Sequence, residues 1–410
     1  RLCRDWSSDV CSSDLIPVTT SAPSRIGSVN GSAAPLGAVT SKESGNGQTS
    51  VVSVDIAALA SRLLTQGQGA NVILPVTSSP RVVFEIGGIL QQLLDNRSPV
   101  TLASQGAGYT LNPAHMRQIL ASGTEVVNVN INQVTDENAL TDLNRALGNN
   151  TLASPLVNFS ITKGASAVEF TDKFDTFVER QLERTAALKA TTGVVSVGDR
   201  VFHVPTRFED GKAPVISSLT NSSYALVNIV KSFKDIATSK YTSSINNIAS
   251  RLIIEGTSED TFSPEEKVTR AEFATMLAKS LGLYRGVQGK VKFNDMTAVE
   301  GLNIGISVAA DNSFVSGYGK GIFKPDSAIT AKEMAQMMYN AARKLNMLEK
   351  FKNTGTASIT SDWSKDAVAF ATSNRLIEDF TNTQPSKAMT RAQAAFAIEQ
   401  FLIAMALINK

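Results

Sequence analysis

Three tetrapeptides carry the chemistry most readily legible in this chain: TRAE at Thr269 to Glu272, TAKE at Thr330 to Glu333 and TRAQ at Thr390 to Gln393. Each has the form of a capping box, in which a threonine hydroxyl and a Glu or Gln side chain satisfy free backbone N–H groups of a helix's first turn. The pattern predicts three helix starts, with Thr269, Thr330 and Thr390 as caps and Glu333 as a capping partner. Arg270 and Arg391 then stand at the first helical position, where free N–H groups and the helix dipole already favour an anion. A guanidinium can hold a carboxylate by two parallel hydrogen bonds, whereas the second tetrapeptide has Ala331-Lys332 in place of Arg-Ala, and Lys332 supplies charge alone. The chemistry is recognition of an anion. The alternative is local helix stabilisation of about 1 kcal/mol per cap with no ligand.

Little else suggests reactivity. His115 and His203 are the only histidines, and neither has cysteine or acidic neighbours at metal-ligand spacing. No GxSxG or HExxH signature occurs. The glycines of Gly317 to Gly321 lack the preceding strand and the Lys-Ser/Thr of a phosphate loop, which leaves a turn. The acidic residues Glu259, Asp260, Glu265 and Glu266 lack the alternating ligands of a calcium loop and read as a solvated face. The expectation is no catalytic residue, no metal and no cofactor.

The elements that must position the arginines follow from repetition. Thr269 to Thr330 is 61 residues and Thr330 to Thr390 is 60, and Pro264, Pro325 and Pro385 each precede a threonine by five positions. Apolar residues keep phase behind each cap: Phe273, Met276 and Leu277, then Met334, Met337 and Met338, then Ala394, Ala397 and Ile398. Amphipathic helices follow. A second helical period precedes each loop, through Leu302, Ile306, Ala309 and Ala310 in copy two and Ala367, Val368 and Ala371 in copy three. A helix–loop–helix unit of this size cannot bury its apolar faces alone, so the three copies should pack together around a pseudo-threefold axis.

Upstream, the character differs. Residues 51–231 alternate short β-branched runs (VVSVDI, NVILPV, RVVFEI, EVVNVNI) with a few helical stretches, and read as a strand-rich α+β domain. Residues 16–50, rich in Ser, Gly, Thr, Pro and Ala, read as a flexible linker. Residues 1–15, RLCRDWSSDVCSSDL, show no structural period and resemble translated adapter sequence; they contain both cysteines, Cys3 and Cys11. The remainder has none, which excludes disulfides there and fits an exported protein that folds without oxidation. The whole chain has 410 residues, 42% hydrophobic, 19% charged, with a formal net charge of +2. That is enough apolar material for two or three domains, and too little concentrated charge for a nucleic-acid or membrane-surface binder. No apolar stretch reaches the roughly 20 residues of a membrane-spanning helix, so neither nucleic acid nor membrane insertion is expected. Without a secretion signal at its start, the chain reads as the C-terminal fragment of a longer exported protein.

The repeats closely resemble the S-layer homology domain, whose pattern runs F-x-D-(V/I), Trp, an apolar helix, G-x-x-D-x-x-F-x-P and I-T-R-A-E. Copy one (232–288) supplies FKDI at Phe233, LIIEG at Leu252, DTFSP at Asp260 and VTRAE. Copy two (289–350) supplies FNDM at Phe293, SGYGKGIFKPD at Ser316 and ITAKE. Copy three (351–410) supplies Trp363, LIE at Leu376 and MTRAQ. Tyr241 stands near the Trp position of copy one, and copy three lacks the Gly and Phe before Pro385. The preceding domain is similar to segments that precede such repeats in Paenibacillus-like (Bacillales) surface proteins. The resemblance implies a multidomain α+β protein: a strand-rich α+β spacer, then an all-α-dominated bundle of three repeats with pseudo-threefold symmetry.

The implied function is non-covalent anchoring to a Gram-positive cell wall. The implied partner is secondary cell-wall polysaccharide attached to peptidoglycan, its pyruvylated sugar held in the inter-repeat grooves, and lateral S-layer self-association is the further partner the family admits. On this reading Arg270, Glu272, Arg391, Gln393 and Lys332 face the polymer with Asp235 and Asp295. Trp363 and Tyr241 offer flat faces to a sugar ring, while Gly256, Gly317 and Gly319 admit close backbone approach. Trp363 serves equally well as a core aromatic, and the two aspartates as loop braces. Arg270→Ala and Arg391→Ala should each weaken wall binding with little loss of thermal stability, because the threonine cap survives. A second reading makes the chain the anchor and spacer of a large extracellular glycoside hydrolase whose catalytic domain lies upstream.

Overall fold

The computed structural model describes residues 24–44, 47–76, 79–121, 123, 126–185, 188–290, 292–352, 363–378 and 385–409. The adapter-like segment 1–15 lies outside them. The first half begins β1 (Ser24–Val29), β2 (Ser32–Ser44), β3 (Gly47–Val54), α1 (Ile56–Gln66), β4 (Val72–Pro75), β5 (Arg81–Glu85), α2 (Gly87–Asp95), β6 (Val100–Ser104), β7 (Ala107–Leu111) and α3 (Pro113–Leu120). It continues β8 (Val127–Gln133), α4 (Glu137–Leu147), β9 (Thr151–Leu152), β10 (Val157–Lys163), β11 (Val168–Glu169), β12 (Val178–Leu182), β13 (Thr192–Val197), β14 (Arg200–Val204), β15 (Thr206–Arg207), β16 (Val215–Ser218) and β17 (Ser222–Asn228).

Residues 24–44 correct the linker reading. They form an antiparallel hairpin, Val29 opposite Ser32, with Val29 and Leu36 buried. The turn is Asn30-Gly31, both at positive φ (48° and 78°), the pair that a tight hairpin turn selects. Low hydrophobicity hid strands that need only a few buried residues on one face.

From this hairpin two ladders diverge. One runs β2, β3, β5, β8, β10, β17, β13, β14, with β3 and β5 parallel. The other runs β1, β4, β6, β7, β12, β16, β15, with β4 and β6 parallel. Because α1 joins β3 to β4 and α2 joins β5 to β6, the chain alternates between the ladders, and each parallel pair needs a helical crossover. Strand alternation fixes which face is buried: Val127, Val129 and Ile131 of β8 enter the core, and Asn128, Asn130 and Asn132 face away. At the core's centre Arg180 is fully buried, its guanidinium 4.9 Å from the Tyr109 ring and 5.0 Å from that of Tyr224. It donates to the carbonyls of Val178, Ser218 and Thr220 and to Asn221 Oδ1. These bonds make a buried cation tolerable without an acid partner.

The second half is helical: α5 (Thr242–Ser250), α6 (Arg270–Ser280), α7 (Glu300–Asp311), α8 (Ala331–Lys344), α9 (Lys365–Ser373) and α10 (Arg391–Ala404). The main helix contacts pair α6 with α7, α8 with α9, and α10 with α5. The second helix of each copy thus packs on the first helix of another. Segments just before the caps are stitched by three hydrogen bonds: Ile329 N to Val268 O (3.0 Å), Met389 N to Ile329 O (2.9 Å) and Val268 N to Met389 O (3.1 Å). One continuous core holds Phe262, Phe273, Phe314, Phe323, Phe370 and Phe401. The two halves touch, with Arg251 Nη1 donating to Thr206 O (3.3 Å) and Arg207 Nη1 to Ala406 O (2.8 Å).

Candidate functional site

All three capping boxes are formed. Thr269 Oγ1 accepts from Glu272 N (3.1 Å) while Glu272 Oε2 accepts from Thr269 N (2.7 Å). Thr330 and Glu333, and Thr390 and Gln393, repeat the exchange. The helix start fixes the residue after each threonine, and so the direction of each arginine.

Arg270 does not project into solvent. It is 4% exposed and crosses to the next copy, where Nε donates to Phe323 O (2.9 Å), Nη2 to Ser316 O (3.3 Å) and Nη1 to Glu333 Oε1 (3.1 Å). Its guanidinium lies 4.7 Å from the Phe323 ring and 4.8 Å from that of Tyr318. Arg391 makes the corresponding contacts to copy one: Nε to Phe262 O (2.9 Å), Nη2 to Glu255 O (2.6 Å), and Nη1 3.7 Å from Glu272 Oε1. Each arginine clasps the loop of a neighbouring copy, a role invisible to spacing alone.

Around Arg270 opens a cavity of about 710 Å³, lined among others by Ser316, Gly317, Tyr318, Glu333, Asn340 and Trp363. Tyr318 Oη donates to Glu333 Oε1. Burial raises the Glu333 carboxyl pKa, but hydrogen bonds from Tyr318 and Thr330 and the charge of Arg270 outweigh it, so the net shift is downward. Glu333 therefore stays ionised and holds the guanidinium. Trp363 is 62% exposed and Tyr318 53%, large flat rings at the cavity edge, with Lys332 Nζ 5.6 Å from the Trp363 ring. This arrangement joins buried charge to open aromatic faces, and it can receive a polar ring that carries a negative group. Tyr318, Asn340 and Arg343 escaped the sequence reading; an aromatic two residues after Ser316 was the available signal for the first.

The remaining predicted residues take other places. Asp235 accepts from Phe262 N (2.9 Å) and Ser263 N (2.7 Å), and Asp295 from Phe323 N (2.8 Å) and Lys324 N (2.7 Å). Desolvation opposes ionisation of both, yet these backbone donors hold both pKa values below the usual range. Both carboxylates brace loops. A Cβ on Gly256 would come 2.6 Å from Phe233 Cε1, and one on Gly317 2.8 Å from Phe293 Cε1; close packing within the loop requires these glycines. Gly319 takes φ +90° beside Tyr318. Tyr241 is mostly buried, 5.5 Å from the Phe396 ring, and donates to Glu378 Oε2 (2.7 Å). Burial, with Glu378, raises its pKa to about 12. Gln393 is engaged in its cap, and Lys332 N donates to Pro385 O (3.0 Å).

A family model for the S-layer homology domain matches residues 232–274, 292–335 and 356–395. The chain is 31% identical over 190 residues to an amylopullulanase of Thermoanaerobacterium thermosulfurigenes, covering 43% of this chain and 10% of that protein. It is 27% identical over 148 residues to a cellulosome-anchoring protein of Acetivibrio thermocellus, covering 34% of this chain and 33% of that one. With a surface layer protein of Brevibacillus choshinensis the identity is 26% over 226 residues, 53% of this chain and 20% of the relative. The chain thus spans a third or less of each of these relatives. Among the described residues, no group of three His, Cys, Asp or Glu could hold a metal ion, and no helix is long and apolar enough to cross a membrane.

Proposed function

We propose that the three S-layer homology domains carried by this chain attach an extracellular protein non-covalently to the bacterial cell wall by binding secondary cell-wall polysaccharide. The pyruvylated sugar of such a polymer is the ligand class in view. The observation that carries this reading is the cavity around Arg270, where a buried guanidinium lies against the Tyr318 ring and the exposed ring of Trp363 lines the same opening. A pyruvyl carboxylate meets the exposed cations of the cavity wall, Arg343 and Lys344, while a sugar ring lies along an aromatic face.

The repeats sit about a pseudo-threefold axis. Support comes from the three hydrogen bonds among Val268, Ile329 and Met389 and from helix contacts that close on themselves through α10 and α5. Such a ring presents its grooves around one rim. Likeness to a cellulosome-anchoring protein and to a surface layer protein favours attachment as the role of this half, with the strand-rich half as spacer and lateral self-association as a second contact. No catalytic role is assigned to the described residues.

The test is sedimentation of the purified chain with native sacculi of a Paenibacillus-like bacterium and with sacculi stripped of secondary polymer by acid. Pelleting with native walls alone supports the reading; a chain left in solution by both sinks it. Likeness to an amylopullulanase gives the second reading its observation: the chain anchors a polysaccharide hydrolase. A paired-carboxylate domain upstream in the full gene would favour it.

A further inference from the structure

The groove that Arg391 closes is the repeat counterpart of the groove at Arg270, and its contents differ. The 61-residue step from Thr269 to Thr330 carries Leu252 to Ser313, Glu255 to Ser316 and Lys279 to Asn340. Ser313, Ser316 and Asn340 line the 710 Å³ cavity. Leu252, Glu255 and Lys279 line one of only about 230 Å³, whose other walls are Val201, Phe202 and His203 of β14, together with Tyr284. The same place in the repeat is open in one copy and covered by the strand-rich domain in the other.

Three features show that the cover is built in. The helix of copy one, α6, has 11 residues, whereas α8 and α10 have 14 each. The missing turn is the one that in α8 bears Arg343 and Lys344, two residues of the open cavity wall. Where it would run, Gly282 turns the chain at φ +66°, and a Cβ there would lie 2.9 Å from Pro205 Cδ and 3.3 Å from Val204 Cα. Gly286 likewise leaves room for Phe202, whose Cζ would be 2.8 Å from an added Cβ. At the groove's edge Lys279 pairs with the exposed Glu255 (2.9 Å), and Phe202 packs on Tyr284 with ring centroids 5.8 Å apart.

Resting on the polymer-binding reading, we infer that β14 is a lid on the Arg391 groove, so that wall polymer engages the Arg270 groove while the Arg391 groove stays shut in the intact chain. The lid converts one binding site into a joint that holds the two halves in fixed relation. Phe202 and the Lys279–Glu255 pair narrow this groove to about 230 Å³, against about 710 Å³ for the groove at Arg270.

The test uses the full chain and two readouts. First, amine-reactive labelling followed by mass spectrometry measures access to Lys279 without any ligand. At least tenfold slower labelling than in a Phe202→Ala chain is expected, and equal rates overturn the lid. Second, the chain is titrated with soluble wall polysaccharide capped by pyruvylated N-acetylmannosamine. Trp363→Ala should weaken binding at least tenfold and Lys279→Ala less than twofold; equal losses in both overturn the inference. If the native chain ignores the polymer, the polymer reading fails, and the labelling rates still judge the lid.

Discussion

Arg270 Nη1 lies 3.1 Å from Glu333 Oε1, with the two side chains only 5% and 12% exposed. The pair joins the first turn of α6 to the first turn of α8, and Glu333 simultaneously completes the cap of its own helix. A single carboxylate thus couples helix initiation in one copy to the arginine of another.

The expectation that Arg270→Ala costs little stability therefore reverses. Removing one member of a buried pair leaves the other uncompensated, typically at about 3–5 kcal/mol. Two further acceptors would be left to water, because Ser316 O and Phe323 O also depend on this guanidinium. Denaturant unfolding of Arg270→Ala should show a loss of that order, and Arg270→Lys should recover only part of it because an ammonium cannot span all three acceptors. A midpoint unchanged from the native chain would mean that the clasp is not structural.

Trp363 separates binding from folding. Its ring is mostly exposed, and surface substitutions of this kind usually change stability by within about 0.5 kcal/mol. Trp363→Ala should leave the unfolding midpoint in place while lowering retention on native sacculi by tenfold or more. Unchanged retention would remove the ring from the site.

What was legible in the sequence is what local chemistry fixes. Thr269, Thr330 and Thr390 announce helix starts because a cap acts within four residues, and phased apolar residues behind them fix the buried face. The roles of Arg270 and Arg391 were not legible, because each is set by carbonyls 46 to 136 residues away. Helix N-termini suggested an outward anion site, yet the side chains turn inward over Phe323 and Phe262. Strands β1 and β2 were missed for the opposite reason: their composition is linker-like, and only Asn30-Gly31 signals the turn. Similarly, nothing local to Phe202 indicates that it covers a groove formed by α6.

The strand-rich half should weaken in mild acid. Burial lowers the His115 pKa from 6.5 to about 4, with the charge of Arg180 adding to the effect. Its Nδ1 accepts from Asn112 N (3.1 Å), a bond that protonation destroys. The folded pKa lies below the unfolded one, so this contribution is present above about pH 6.5 and is lost as pH falls toward 4. Its full size is about 3 kcal/mol at one pKa unit per 1.36 kcal/mol. His203, buried and also shifted down, acts in the same direction. Chemical denaturation at pH 7.5 and 4.5 should show a smaller difference for His115→Gln than for the native chain. An identical difference would assign the acid sensitivity elsewhere.

Gly305 tests how closely the copies must approach. It lies in α7, and a Cβ there would come 2.7 Å from Thr275 Cα on α6 and closer still to its side chain. Backbone cannot retreat as the tip of a flexible side chain can, so Gly305→Ala must push α7 away from α6, at about 1–3 kcal/mol for overpacking. The intrinsic helix preference of alanine over glycine, about 1 kcal/mol, works in the opposite direction. At Gly301, one turn earlier, an added Cβ meets only Tyr284 Oη at 3.5 Å, so Gly301→Ala should be neutral or stabilising. Thermal unfolding of the two variants should therefore shift in opposite directions or, at the least, rank Gly305→Ala well below Gly301→Ala. Equal midpoints would mean that the contact between α6 and α7 is loose, and that this glycine is not what lets two copies share one core.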